Sequence, residues 1–224
     1  MKREKKAVHF FVPIIIFLLA MAISAPASAV DSPYDGWWYV SGEDGTGVSI
    51  EIQGNVLFMA WYTYSESGLP IWHIAGGPMS SPTQFSGAFR LATGTPLGSL
   101  ASWSAPSYTD DGTVQITFTS ANQATLGWTG VGGTYSGSKT ITKFMQDFSA
   151  GCLDSRDITG WWYDPNYDGM GFFIEPREGN LFMAWYHYRD DTTSRWWSSF
   201  GTFPSGSHAY NSMACPHCVD HLKS

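Results

Sequence analysis

Leu57-Phe58-Met59-Ala60-Trp61-Tyr62-Thr63-Tyr64 returns 124 residues later as Leu181-Phe182-Met183-Ala184-Trp185-Tyr186-His187-Tyr188, with only Thr63 replaced. Read with the two-residue period of a strand, both faces of this segment are apolar or aromatic. Such a strand is either covered on both sides or lines a cavity. The match extends outward without a gap. Gly36-Trp37-Trp38-Tyr39 returns as Gly160-Trp161-Trp162-Tyr163, Ile50-Glu51 as Ile174-Glu175, and Trp72 as Trp196. Eighteen of the 42 positions from 36 to 77 are identical in the second copy. Self-similarity at that level marks a duplication.

The unit is β. In Val48–Ile52 the residues Val48, Ile50 and Ile52 point one way and Ser49 and Glu51 the other. Gly54-Asn55 is a turn signal, which makes a hairpin with Leu57–Tyr64. Gly68-Leu69-Pro70 leads into a third strand around Trp72. Further strands are expected over Gln84–Ala92, Thr113–Thr119, Ala124–Trp128 and Thr140–Phe144. The composition agrees: 24 Gly, 12 Pro and 11 Trp suit strands and tight turns better than long helices. The expected fold is all-β, a small antiparallel barrel or sandwich, duplicated, with an incomplete second copy.

The expected organisation is a first module over 36–144, a linker over 145–159, a partial second module over 160–206 and an atypical tail over 207–224. The second copy has Thr192-Thr193-Ser194 in place of the Gly-x-Pro turn. The tail matches nothing in the first module, and reads as a truncated or frame-shifted remnant or a short replacement. A half-finished barrel leaves an unpaired sheet edge. The second module is therefore expected to pack on the first or to self-associate.

The N-terminus reads as an address. Met1–Lys6 is basic, Phe10–Ile23 is an apolar run of 14 residues, and Ala27-Ser28-Ala29 supplies the small residues of a cleavage site. That is a secretory signal with cleavage near Ala29, giving a periplasmic or extracellular protein. A membrane anchor needs about 20 apolar residues, and no span is expected in the mature chain. Residues 1–29 hold four of the twelve basic residues and one of the nineteen acids, so the mature chain carries a net charge of -10. Clustered Lys and Arg are lacking, which argues against nucleic acid as a partner.

The pattern Gly-Trp-Trp-Tyr, Gly-x-Gly, Ile-Glu and Leu-Phe-Met-Ala-Trp-Tyr-x-Tyr resembles a repeat module of exported proteins of Gram-negative bacteria. The resemblance covers about 36–144 and 160–203. It implies a secreted, β-rich, non-enzymatic protein, and brings no activity or site residues with it.

Three constellations have chemical potential. The aromatic set Trp61, Tyr62, Tyr64 and Trp72 recurs as Trp185, Tyr186, Tyr188 and Trp196. Aromatic faces stack on sugar rings, and Glu51 or Glu175 beside them is suited to accept hydrogen bonds from the hydroxyls. This predicts a glycan or peptide ligand. The alternative is that the rings are core, since each large aromatic buries about 150–250 Å², and that the two carboxylates accept bonds from a hairpin amide or an indole. The second constellation is Asp164-Pro165-Asn166-Tyr167-Asp168-Gly169 with Glu175, which fits a calcium-loop pattern position for position. Its flanks read as strand, however, and Val40 and Gly42 stand at the corresponding places of the first copy, so an Asx turn is the competing reading. The third is Cys215-Pro216-His217-Cys218, which with Cys152 makes three disulfide candidates in an oxidising compartment. No βαβ frame accompanies this short string, as a thioredoxin-type redox site requires.

No G-x-S-x-G elbow, H-E-x-x-H helix or phosphate-cradling loop occurs, and no cofactor is expected. The sequence thus points to an exported non-enzymatic binding protein. The alternatives are an envelope structural or assembly protein and, with less support, a small secreted hydrolase.

Overall fold

The computed structural model describes residues 32–145, 159–177 and 180–202. The signal segment, the three cysteines, most of the linker and the tail lie outside them. Eight antiparallel strands close a barrel: β1 (Gly36–Tyr39), β2 (Gly47–Gln53), β3 (Val56–Tyr64), β4 (Pro70–Pro78), β5 (Gln84–Thr93), β6 (Ser107–Ser120), β7 (Gln123–Val131) and β8 (Tyr135–Lys143). A four-stranded antiparallel sheet holds the repeat: β9 (Gly160–Trp162), β10 (Gly171–Arg177), β11 (Asn180–Tyr188) and β12 (Ser194–Thr202), in the order β12-β11-β10-β9. The protein is all-β, and of the two architectures expected the barrel is the one formed.

Alternation along β3 places Leu57, Met59 and Trp61 inside the barrel. There they meet Val48 and Ile50 of β2, Phe89 of β5, Val114 and Ile116 of β6, and Leu126 of β7. The opposite residues, Ala60 and Tyr62, belong to a second apolar cluster, with Trp37, Trp72, Phe173, Ala184, Tyr186, Tyr188 and Trp196. That cluster lies between barrel and sheet. The two-sided apolar character of β3 is thus explained by cover on both faces.

The barrel is itself two four-stranded sheets joined by thin seams. Within β1–β4 the ladders hold three to nine residue pairs. Within β5–β8 they hold seven or nine. The seams are shorter: β4 meets β5 only at His73↔Leu91 and Ile74↔Arg90, and β8 meets β1 only at Trp38↔Lys143 and Tyr39↔Thr142. The sheet β9–β12 repeats β1–β4. Among the described residues nothing corresponds to β5–β8.

Candidate functional site

Barrel and sheet pack through contacts that repeat with the copies exchanged. The Trp37 N–H donates to Glu175 Oε2 at 2.6 Å, and the Trp161 N–H donates to Glu51 Oε2 at 2.8 Å. Trp37 lies 4.4 Å from Phe182, and Trp161 lies 4.9 Å from Phe58, ring to ring. Tyr62 meets Trp196 at 5.6 Å, and Tyr186 meets Trp72 at 5.7 Å. The Trp196 indole N–H donates to the Thr63 carbonyl, and the Trp72 indole N–H donates to the His187 carbonyl. Every pair maps onto its counterpart by the 124-residue offset, so the two copies are related by a pseudo-twofold axis.

The glycine of Gly-Trp-Trp-Tyr now has a physical reason. Gly36 and Gly160 adopt φ of 133° and 142°, and a Cβ on either would lie within 2.7 Å of the opposing glutamate. Only glycine allows both the backbone angle and the carboxylate's approach. Glu175 is fully buried, with the Arg177 guanidinium 3.4 Å from its other oxygen. Glu51 is part-exposed and also accepts from the Gln53 amide at 2.5 Å.

The residues predicted to bind ligand divide by location. Tyr62, Trp72, Tyr186, Tyr188 and Trp196 are buried between the copies, as part of the cluster above. Burial raises the phenol pKa of Tyr62 and of Tyr186. Glu51 and Glu175 form the reciprocal clamp. Trp61 packs in the barrel against Phe89, His73 and Trp128. Tyr64 is 45% exposed and touches the Trp196 ring. Trp185 alone of the set lies on the outer face of the four-stranded sheet.

In the calcium-like loop, the Asp164 carboxylate accepts from the Asn166 backbone and side-chain N–H groups at 2.9 Å, an Asx turn. Glu175, the terminal ligand of that pattern, faces the other way into the clamp. The disulfide candidates Cys152, Cys215 and Cys218 are outside the described residues.

Apart from Trp185, the outer face of the sheet is what sequence reasoning missed. It is the face that β5–β8 cover in the barrel. Cross-strand pairing sets Trp162, Phe172, Trp185 and Trp197 in one row over four strands. Phe172 and Trp185 stack at 5.7 Å, and Trp185 meets Trp197 edge to face at 5.3 Å. Trp162 is 48% exposed and Trp197 51% exposed. The barrel positions are Trp38, Val48, Trp61 and His73, where Trp38 is fully buried and His73 nearly so. His73 is held there by Asp111 at 2.7 Å, while burial lowers its pKa. The detectable signal was substitution by larger aromatics, Val48 by Phe172 and His73 by Trp197, in the copy without a second half.

Beside Trp197 a recess of about 460 Å³ is lined by His187, Arg189, Asp190, Asp191 and Arg195, among others. The Arg195 guanidinium lies 5.5 Å from the centre of the Trp197 ring. No helix of the described residues is long and apolar enough to cross a membrane. No protein-family description, curated protein or solved structure matches the chain.

Proposed function

We propose that this is an exported, non-enzymatic β-module protein that works by assembly, and that its working surface is the outer aromatic face of the second module. The observation that carries this reading is internal to the molecule. The equivalent face of β1–β4 is covered by another four-stranded sheet, whereas the row through Phe172, Trp185 and Trp197 has no such cover among the described residues. A rigid sheet presenting half-exposed tryptophans suits association, because large apolar patches on a folded surface mark interaction sites. The same chemistry supports a location outside the cytoplasm, as the basic, apolar and small-residue segments of the N-terminus imply. A non-catalytic role fits the His73–Asp111 pair, which lies among Trp61 and Phe89 within the barrel.

A second reading is a glycan ligand. The Arg195–Trp197 stack beside a polar recess favours it, since an aromatic face with flanking hydrogen-bonding groups is suited to a sugar ring. Photo-crosslinking separates the two. A benzophenone side chain at Ser199, on the same face, is expected to capture a protein adduct in the cell. Absence of an adduct, together with a saturable tryptophan-fluorescence shift on adding soluble glycans that Trp197→Ala abolishes, would replace the assembly reading with the glycan one.

A further inference from the structure

The assembly reading leaves the partner open, and the geometry of the sheet points to one. We infer that the outer face of β9–β12 is closed by the same face of a second copy of this chain, making an intermolecular eight-stranded β structure about a twofold axis. This inference rests on the assembly reading.

The strand count is the first argument. The barrel shows that a β1–β4 sheet is completed by four more strands, and two copies of β9–β12 supply eight. Direction is the second. Neighbouring strands in the sheet are antiparallel, so β9 and β12, three places apart, also run in opposite directions. A twofold axis along the strands preserves strand direction. It therefore sets β9 of one copy antiparallel to β12 of the other at both junctions. A sheet with an odd number of strands would give parallel junctions.

The length of the junctions is the third argument. β9 has only three residues. That is enough, because each seam of the barrel consists of two residue pairs. Composition is the fourth. In the barrel His73 needs Asp111 of β6 as a buried partner. Trp197 at the same place has no charge to satisfy, so its cover need not supply a carboxylate. A partner built from the same sheet has none in the aromatic row. Phe172, Trp185 and Trp197, with Ile174, Leu181 and Met183 beside them, put apolar side chains on this face over three strands.

The test is sedimentation equilibrium of the purified mature chain from 1 to 200 μM, beside Trp197→Glu. The mass is expected to double across the series in the wild type. The variant should remain at the monomer mass at every concentration, with an unchanged thermal transition. Should Trp197→Glu fail to fold, Phe172→Gln takes its place, and the wild-type series is decisive by itself. A wild-type chain that stays monomeric throughout, or a dimer that both variants leave intact, overturns the inference. In the monomeric case, acrylamide quenching of the tryptophans distinguishes what else failed. Quenching that Trp197→Phe reduces means that the face is open, and keeps the assembly reading with a different protein partner. No reduction means that the face is closed within the chain itself, and removes both.

Discussion

The β1–β4 sheet and the β9–β12 sheet share their motif, their register and one packed face, yet differ on the other face. In the first, Trp38, Trp61 and His73 are enclosed by β5–β8, and burial places demands on each: His73 requires Asp111, and the row carries the small Val48. In the second, the row is wholly aromatic, and its end members Trp162 and Trp197 are half-exposed. The comparison teaches that this repeat is a two-faced sheet rather than a barrel. One face pairs with the other copy, and the opposite face is covered by β5–β8 in the first copy and, among the described residues, by no strand in the second.

The strongest way to break the comparison is to delete the same indole from both copies. Trp38→Ala should cost about 3–5 kcal/mol by opening a cavity in a closed core. Trp162→Ala should cost about 1 kcal/mol, because half of that ring is already in water. Urea denaturation of the two variants checks the pair, and equal losses would mean that the faces are equally enclosed.

The clamp gives the next effect. Glu175→Ala is expected to cost roughly 3 kcal/mol, since it leaves the buried Trp37 N–H unpaired and takes a carboxylate from beside Arg177. Glu51→Ala should cost about 1 kcal/mol, as its carboxylate is part-exposed and water can replace it at the Trp161 N–H. Chemical denaturation that ranks Glu51 above Glu175 would contradict this account of the asymmetry. The glycines sharpen the same contrast. Gly36→Ala forces a Cβ against the immobile Glu175, for roughly 2–3 kcal/mol. Gly160→Ala meets Glu51, which is able to swing toward solvent, and should cost about half as much.

A further difference between the copies is a pH slope confined to the barrel. Asp35 accepts from the Ile52 and Ser32 N–H groups, and burial pushes its carboxyl up to about 7. Its repeat position holds Thr159. A raised carboxyl pKa means that the folded chain binds the extra proton. The stability from this group is present at low pH and lost as pH rises from about 4 through 7. The slope is at most about 1.4 kcal/mol per pH unit. Asp35→Asn should flatten it between pH 5 and 7 in thermal melts. A slope that persists unchanged would assign it to another group.

Much of the fold was legible because β3 announces itself. Its two apolar faces called for cover on both sides or for a cavity, and the unfinished second copy was expected to pack on the first or to self-associate. Strands with clean alternation, such as the segment around Val114, Ile116 and Phe118, were readable for the same reason. The site was less legible. Tyr62, Trp72 and Trp196 looked like a groove because an aromatic row on a strand has the same pattern whether it faces water or a second sheet. Glu51 and Glu175 were recognised as paired positions, but their reciprocal use depends on a pseudo-twofold contact that no local spacing encodes. The outer row was legible only in part: Trp185 stood in the predicted ligand set, whereas Phe172 and Trp197 are positions where the copies differ and a search for identity does not join them to it.

The exchanged contacts of the two copies also bear on the origin of the chain. A contact set that is unchanged when its halves trade places is what a homodimer has. Fusing two such halves in one polypeptide replaces an association that depends on concentration with an internal one. Once fused, the halves were released from identity. One glutamate became buried beside an arginine while the other stayed near water, and one outer face remained enclosed while the other diverged toward tryptophan. The unequal clamp is thus the trace of a symmetric ancestor whose two copies were free to specialise only after neither could be lost by dilution.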